Sequence, residues 1–234
     1  MAKYAMLDCW DDLNKGDLGI MLATVAEIKR QDPSAEIIGV SCYNREDPCF
    51  AESHKDLRKF VPDIYPAIFG IYGIKILNKY HQGIIAKTLA MIWESVRCFL
   101  IMLLPRKIGL IFLARNERET LKALISCDVC FSKGGSIFTD DNTLRGAIGL
   151  RRMCRTYDLL YKFNCPYCIL GQSFGPIRSR AQTKHTNRVI ARAVRVFIRE
   201  TECRKLYPDI TLDLENVKFS NDIAFLLEET EPKN

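Results

Sequence analysis

Residues with the means to hold an anion recur along this chain. Gly134-Gly135-Ser136 lets the backbone approach a ligand closely and turn its amides outward, as anion cradles do; a tight turn is the plainer reading. Gly171-Gln172-Ser173-Phe174-Gly175-Pro176 repeats the theme and adds the Gln172 and Ser173 donors. Arg199 follows a short apolar run, where a guanidinium is costly to bury unless it meets a carboxylate or a phosphate. Its ordinary partners would be Glu200, Glu202 or Asp222. Asn14 and Asp17 flank Gly16, either as helix caps or as groups that fix a loop around a ligand's hydroxyls. Lys184, Arg188 and Arg192 recur every four residues, share one helix face and read as a solvated stripe. His54, His81 and His185 have no nucleophile or carboxylate partner close in sequence, so none receives a catalytic role.

The elements that position these residues alternate. Tyr4 to Cys9 reads as a strand, and Leu18 to Arg30 as a helix stopped by Asp32-Pro33. Glu36 to Tyr43 and Asp63 to Ala67 read as strands. Leu124 to Phe131 (strand), Arg145 to Lys162 (helix), Tyr167 to Gln172 (strand) and Ser179 to Ala193 (helix) follow. Val196 to Arg199 (strand), Thr201 to Tyr207 (helix) and Val217 to Phe219 (strand) complete the series. Apolar strands alternating with helices predict an α/β fold with a parallel sheet covered on both faces. In such a sheet ligands bind outside the carboxyl ends of the strands, and the glycine turns, Asn14-Lys15-Gly16-Asp17, Arg199 and Ser220-Asn221-Asp222 all follow strands.

Composition narrows the class. About half of the 234 residues are hydrophobic and about a quarter charged, as in an ordinary folded protein. The net charge of +6 is uneven: residues 1–63 carry 8 basic and 12 acidic side chains, the remainder 26 and 16. That bias suits acidic ligands or a membrane surface. Without aromatic residues between the basic ones, nucleic acid is not an expected partner. The ten cysteines are scattered through apolar runs, as buried thiols are, and no signal peptide precedes Asp11-Asp12. A reducing cytoplasm is expected. Cys127 and Cys130, like Cys165 and Cys168, have zinc-knuckle spacing, but both pairs lie in strand-like sequence where side chains three apart face opposite ways. No metal is expected.

Ile84 to Leu113 is the most apolar stretch, interrupted by Lys87, Glu94, Arg97, Pro105, Arg106 and Lys107. Its clean runs are far below the roughly 20 residues of a spanning helix. Two readings stay open: a pair of core-facing helices, or an interfacial helix resting on a membrane through Trp93, Phe99 and flanking cations.

Taken in order, the strand ends resemble the polysaccharide pyruvyl transferase family. The likeness rests on Asn14-x-Gly16-Asp17 entering a helix, the Asp128 to Ser136 segment, Gly171 to Pro176, Ile198-Arg199-Glu200 and Asn221-Asp222-Ile223-Ala224-Phe225. Lys133 stands where the family usually has glycine, and Ile223 where proline often follows the aspartate. The resemblance implies a Rossmann-like sheet with helices on both faces, one half of a two-domain GT-B-type glycosyltransferase architecture. It also implies transfer of the enolpyruvyl unit of phosphoenolpyruvate onto two hydroxyls of a cell-surface polysaccharide sugar, forming a ketal and releasing phosphate. On that template Arg199 grips phosphoenolpyruvate with the Gly134-Gly135-Ser136 loop, and Asn14, Gly16, Asp17, Gln172, Gly175 and Asp222 line the cleft. The acceptor would be a sugar or a lipid-linked oligosaccharide, and no metal or bound cofactor is required.

The organisation expected from this likeness is a single Rossmann-like domain over residues 1–228, with a hydrophobic helical segment at about 70–113. Residues 229–234 would form a tail or the start of a linker toward a second domain that completes the donor site, and a second domain or an oligomer is the expected protein partner. Weak or no turnover is expected of these residues alone. A nucleotide-sugar-binding glycosyltransferase-like domain and a non-catalytic scaffold for polysaccharide synthesis, held on the inner face of the plasma membrane, are the alternatives.

Overall fold

Residues 1–69 and 84–227 are described by the structure, a computed structural model. The expected helical segment at 70–113 therefore lies partly outside the described residues, as does the expected tail at 229–234.

The chain begins with β1 (Lys3–Cys9), whose alternating side chains serve two cores: Ala5 and Leu7 face one, Met6 and Cys9 the other. Period-two alternation is what a strand buried on both faces requires. Helix α1 (Lys15–Gln31) covers the second face with Leu18, Met21 and Val25, packed on Met6 of β1 and Ile37 of β2 (Glu36–Ser41). It starts at Asn14, whose side chain accepts from the Asp17 amide at 3.3 Å, while Asn14 Nδ2 donates to Asp17 Oδ2 at 2.8 Å. Such reciprocal capping satisfies donors that the first turn leaves open. Short α2 (Cys49–Glu52) and β3 (Ile64–Tyr65) follow.

The apolar middle contains α3 (Ile84–Leu103), broken at Pro105 from the single turn α4 (Arg106–Gly109), because proline cannot continue the hydrogen-bond ladder. The expected strand at Leu124 to Phe131 is corrected: Leu124 and Ile125 end helix α5 (Arg115–Ile125), and only β4 (Val129–Ser132) is extended. Leu121 and Leu124 lie on the inner face of α5, fully buried, and a spacing of three puts an apolar pair on one face of a helix but on opposite faces of a strand. Directly after it comes β5 (Gly135–Phe138), in a stretch read as a glycine turn.

Helix α6 (Leu144–Lys162), β6 (Tyr167–Phe174), α7 (Arg180–Arg192), β7 (Arg195–Ile198), α8 (Glu202–Leu206) and β8 (Val217–Phe219) complete the alternation. The sheet is parallel throughout, in the order β3-β2-β1-β4-β6-β7-β8 with β5 also on β6. This is the Rossmann-like, doubly wound arrangement, with helices on both faces. The strand order reverses between β1 and β4, and such a reversal opens a crevice at the carboxyl ends of the two strands.

Candidate functional site

A cleft of about 920 Å³ opens at that reversal. Asn14, Gly16, Asp17, Gly135, Ser136, Arg199 and Asp222 line it, together with Asp8, Trp10, Lys133 and Arg152. Of the residues singled out by sequence, Gly134, Gln172 and Gly175 do not line it. Gly134 and Gly135 have φ of +88° and +100°, a region that side-chain-bearing residues rarely adopt. A Cβ on Gly134 would press on Ile20 and the Leu170 carbonyl. Gln172 is fully buried. Its Oε1 accepts from the Ile137 amide at 3.3 Å, so it holds β5 to β6 beneath the cleft floor. Gly175 gives way to the Tyr207 ring, which would lie 2.5 Å from an added Cβ.

Arg199 joins the rim together. Its Nε donates to Ser173 Oγ at 2.7 Å, one Nη to Asp222 Oδ2 at 2.6 Å, and the other to Ser136 Oγ at 3.1 Å. Ser136 of β5, Ser173 of β6 and the Asp222 loop thus meet at one guanidinium. Asp222 is itself fixed, because Oδ1 accepts from the Ala224 amide at 3.0 Å and starts a short 3₁₀ turn. Glu200 adds a carboxylate 3.6 Å from Arg199 Nε and accepts from Ser173 Oγ at 2.9 Å. The ordinary ion-pair reading of Arg199 and its place on the rim are therefore both present. A planar fork of five donors suits this bridging role.

Lys133 supplies the second cation. It is 2% exposed and pairs with Asp17. A Cβ on Gly135 would sit 3.4 Å from its Nζ, so the lysine lies against the glycine turn. Arg152 lines the cleft farther along, gripped by Glu94 at 2.9 and 2.6 Å.

Asp8 was missed by the sequence reading. It sits near the end of β1 with φ +58°, where the pairing of β1 with β2 shifts register between Met6 and Cys9. A bulge of this kind re-aims a side chain. Asp8 lines the cleft, and its Oδ2 accepts from the buried Tyr157 hydroxyl at 2.6 Å. Lost hydration pushes the Asp8 carboxyl above the usual carboxylate range, against the opposing pull of Tyr157 and Lys133. The signal in the sequence was a lone carboxylate between Leu7 and Cys9 in an otherwise apolar strand.

The other groups take structural places. Asp128 accepts from the Lys3 amide at 2.8 Å, at the start of β4. Arg192 departs from the solvated stripe: it pairs with Asp158 at 2.8 Å and stacks on Tyr161 at 4.1 Å, while Lys184 and Arg188 are exposed. His185 bonds Asp158 at 2.7 Å. His54 is buried and meets Ser41 Oγ at 2.7 Å. Burial, aided by the Arg58 charge, pushes its pKa down to about 4. The ten cysteines are all free thiols. Burial raises Cys127 and Cys165 to about 11 and Cys130 further. Cys127 lies in the turn after α5 rather than in a strand. Among the described residues no three His, Cys, Asp or Glu side chains converge as a metal site would need, and no helix is long and apolar enough to cross a membrane.

A parallel sheet and a crevice at its reversal point thus bring three paired cations, Lys133, Arg199 and Arg152, to the wall of one cleft. No individually curated protein matches the chain. The family described as Polysaccharide pyruvyl transferase matches residues 14–234. That span takes in the Asn14-x-Gly16-Asp17 cap, both glycine turns, Arg199 and Asp222, and the chain belongs to the polysaccharide pyruvyl transferase family.

Proposed function

We propose that this chain binds phosphoenolpyruvate in the cleft and directs its pyruvyl unit onto a sugar of a cell-surface polysaccharide. One observation carries the reading: the Arg199 guanidinium gathers Ser136, Ser173 and Asp222 on the cleft rim. A carboxylate or phosphate oxygen entering there would replace the Ser136 hydroxyl as acceptor, and charge-assisted bonds of this type are the stronger ones. Lys133 and the Gly135 backbone would add positive potential to the leaving phosphate.

Asp8 is the acid in this proposal. Burial moves the Asp8 carboxyl upward, the direction that general-acid work requires. It would give its proton to the methylene carbon of phosphoenolpyruvate as a first sugar hydroxyl adds to the adjacent carbon. That hydroxyl's proton returns to Asp8. The second hydroxyl then displaces phosphate, which departs with the second proton, and the ketal closes with Asp8 restored. The acceptor would be a sugar or a lipid-linked oligosaccharide, and free thiols throughout the fold fit a cytoplasmic setting.

Thermal unfolding with and without ligand tests the reading. Phosphoenolpyruvate should raise the midpoint of the wild-type protein and leave Arg199→Ala unmoved. A rise with a nucleoside diphosphate sugar but none with phosphoenolpyruvate would replace this reading by a nucleotide-sugar site, which the Rossmann-like strand order also accommodates.

A further inference from the structure

Helix α3 is turned inside out. Its 3.6-residue period places Ile92, Val96, Phe99 and Leu103 along one line, with Trp93 and Met102 beside it. These six side chains are 38% to 66% exposed. The opposite face carries Cys98, Ile101 and the carboxylate Glu94, all buried. Glu94 is held by Arg152, with Arg155 at 3.7 Å. A surface helix ordinarily points its polar residues outward, and here none of the exposed positions between 92 and 103 is polar.

The apolar strip continues past Pro105 with exposed Ile108 and Ile111, and exposed Arg106 and Lys107 lie between. Glu94 is the only carboxylate from residue 92 to residue 113. Among the described residues from 92 to 113, every exposed charge is therefore positive. A second copy pressed on the same face would bring cations and apolar groups but no anion to meet them. Anionic headgroups above an acyl layer offer both complements, and a Trp at the rim suits that boundary.

We infer that the outer face of α3, with the turn that follows it, docks on an anionic membrane surface without crossing it. None of these side chains lines the cleft, so the inference stands apart from the donor-site reading. Glu94, on the inner face of the same helix, grips Arg152, so the docking helix packs against a residue of the cleft wall.

Vesicle sedimentation tests this. The protein should pellet with phosphatidylcholine vesicles rich in phosphatidylglycerol at low salt, and less with phosphatidylcholine alone or at high salt. In a Trp10→Phe background the emission of Trp93 should shift to the blue on binding. Phe99→Glu with Leu103→Glu alters exposed positions, should leave the circular dichroism spectrum unchanged, and should weaken vesicle binding at least about tenfold. Failure to bind either vesicle overturns the inference, as does binding that the double substitution leaves unchanged. A dimer abolished by that substitution, with no vesicle binding, would assign the face to a second copy instead.

Discussion

Lys133 and Asp17 form an ion pair across the reversal point of the sheet, between the end of β4 and the first turn of α1. The lysine is 2% exposed, and the aspartate's other oxygen accepts from Asn14 Nδ2 at 2.8 Å. The cleft floor and the helix cap are thus one hydrogen-bonded unit. Removing one partner of a buried pair strands the other's charge. Lys133→Met should therefore lower unfolding free energy by about 3 kcal/mol in urea titrations. Lys133→Met with Asp17→Asn should recover most of that loss, because the stranded carboxylate goes with its partner.

Arg199 makes a sharper test of ligand binding. Arg199→Lys keeps the charge but cannot bridge Ser136, Ser173 and Asp222 at once. Calorimetric titration should show phosphoenolpyruvate affinity falling roughly tenfold to a hundredfold for the lysine variant. Arg199→Ala should bind below detection and should also unfold earlier, since Asp222 then loses its cation.

Strand ends were legible in the sequence because they are local: a short apolar run followed by glycine, serine or a charge marks both the element and its exit. The order of the strands was not, since pairing of β1 with both β2 and β4 is decided by contacts far apart in the chain. Helix α5 escaped because its start lacks the usual Ser, Thr, Asp or Asn. Glu117 reaches back instead to accept from the Ala114 amide at 2.8 Å, a cap supplied from inside the helix. Asp8 escaped because a register shift turns it out of a strand whose sequence gives no sign of a bend. Gln172 shows the opposite error: a polar residue in a glycine-rich loop looks like a ligand group, yet its bond to Ile137 makes it part of the sheet's interior.

The Asp8 carboxyl should leave a signature in stability against pH. Its folded-state pKa is raised above the unfolded value, so the folded protein holds the proton more tightly and loses stability as pH rises from about 4 upward through the folded value. Asp8→Asn removes that titration and can still accept from Tyr157. The difference in melting temperature should move in favour of the variant on going from acid to neutral pH. The same variant should still bind phosphoenolpyruvate but fail to place deuterium in the pyruvyl methyl group in heavy water.

His54 titrates in the other direction. Burial lowers its folded pKa to about 4, against an ordinary 6.5. The unfolded chain therefore binds the extra proton first, and stability falls as pH drops from about 6.5 toward 4. A shift of this size sets an upper bound of about 3 kcal/mol. Urea midpoints at pH 7.5 and pH 5 should differ for the wild-type protein, and His54→Gln should flatten that part of the difference.

The three groups that hold the Arg199 guanidinium reach from Ser136 to Asp222. A nascent chain still lacking Asp222 has the glycine turns but cannot fix the arginine that unites them. Any ligand that needs this fixed guanidinium accordingly waits for Asp222 to be synthesised and folded into place. An occupied rim certifies that the entire carboxyl-terminal half of the sheet has assembled.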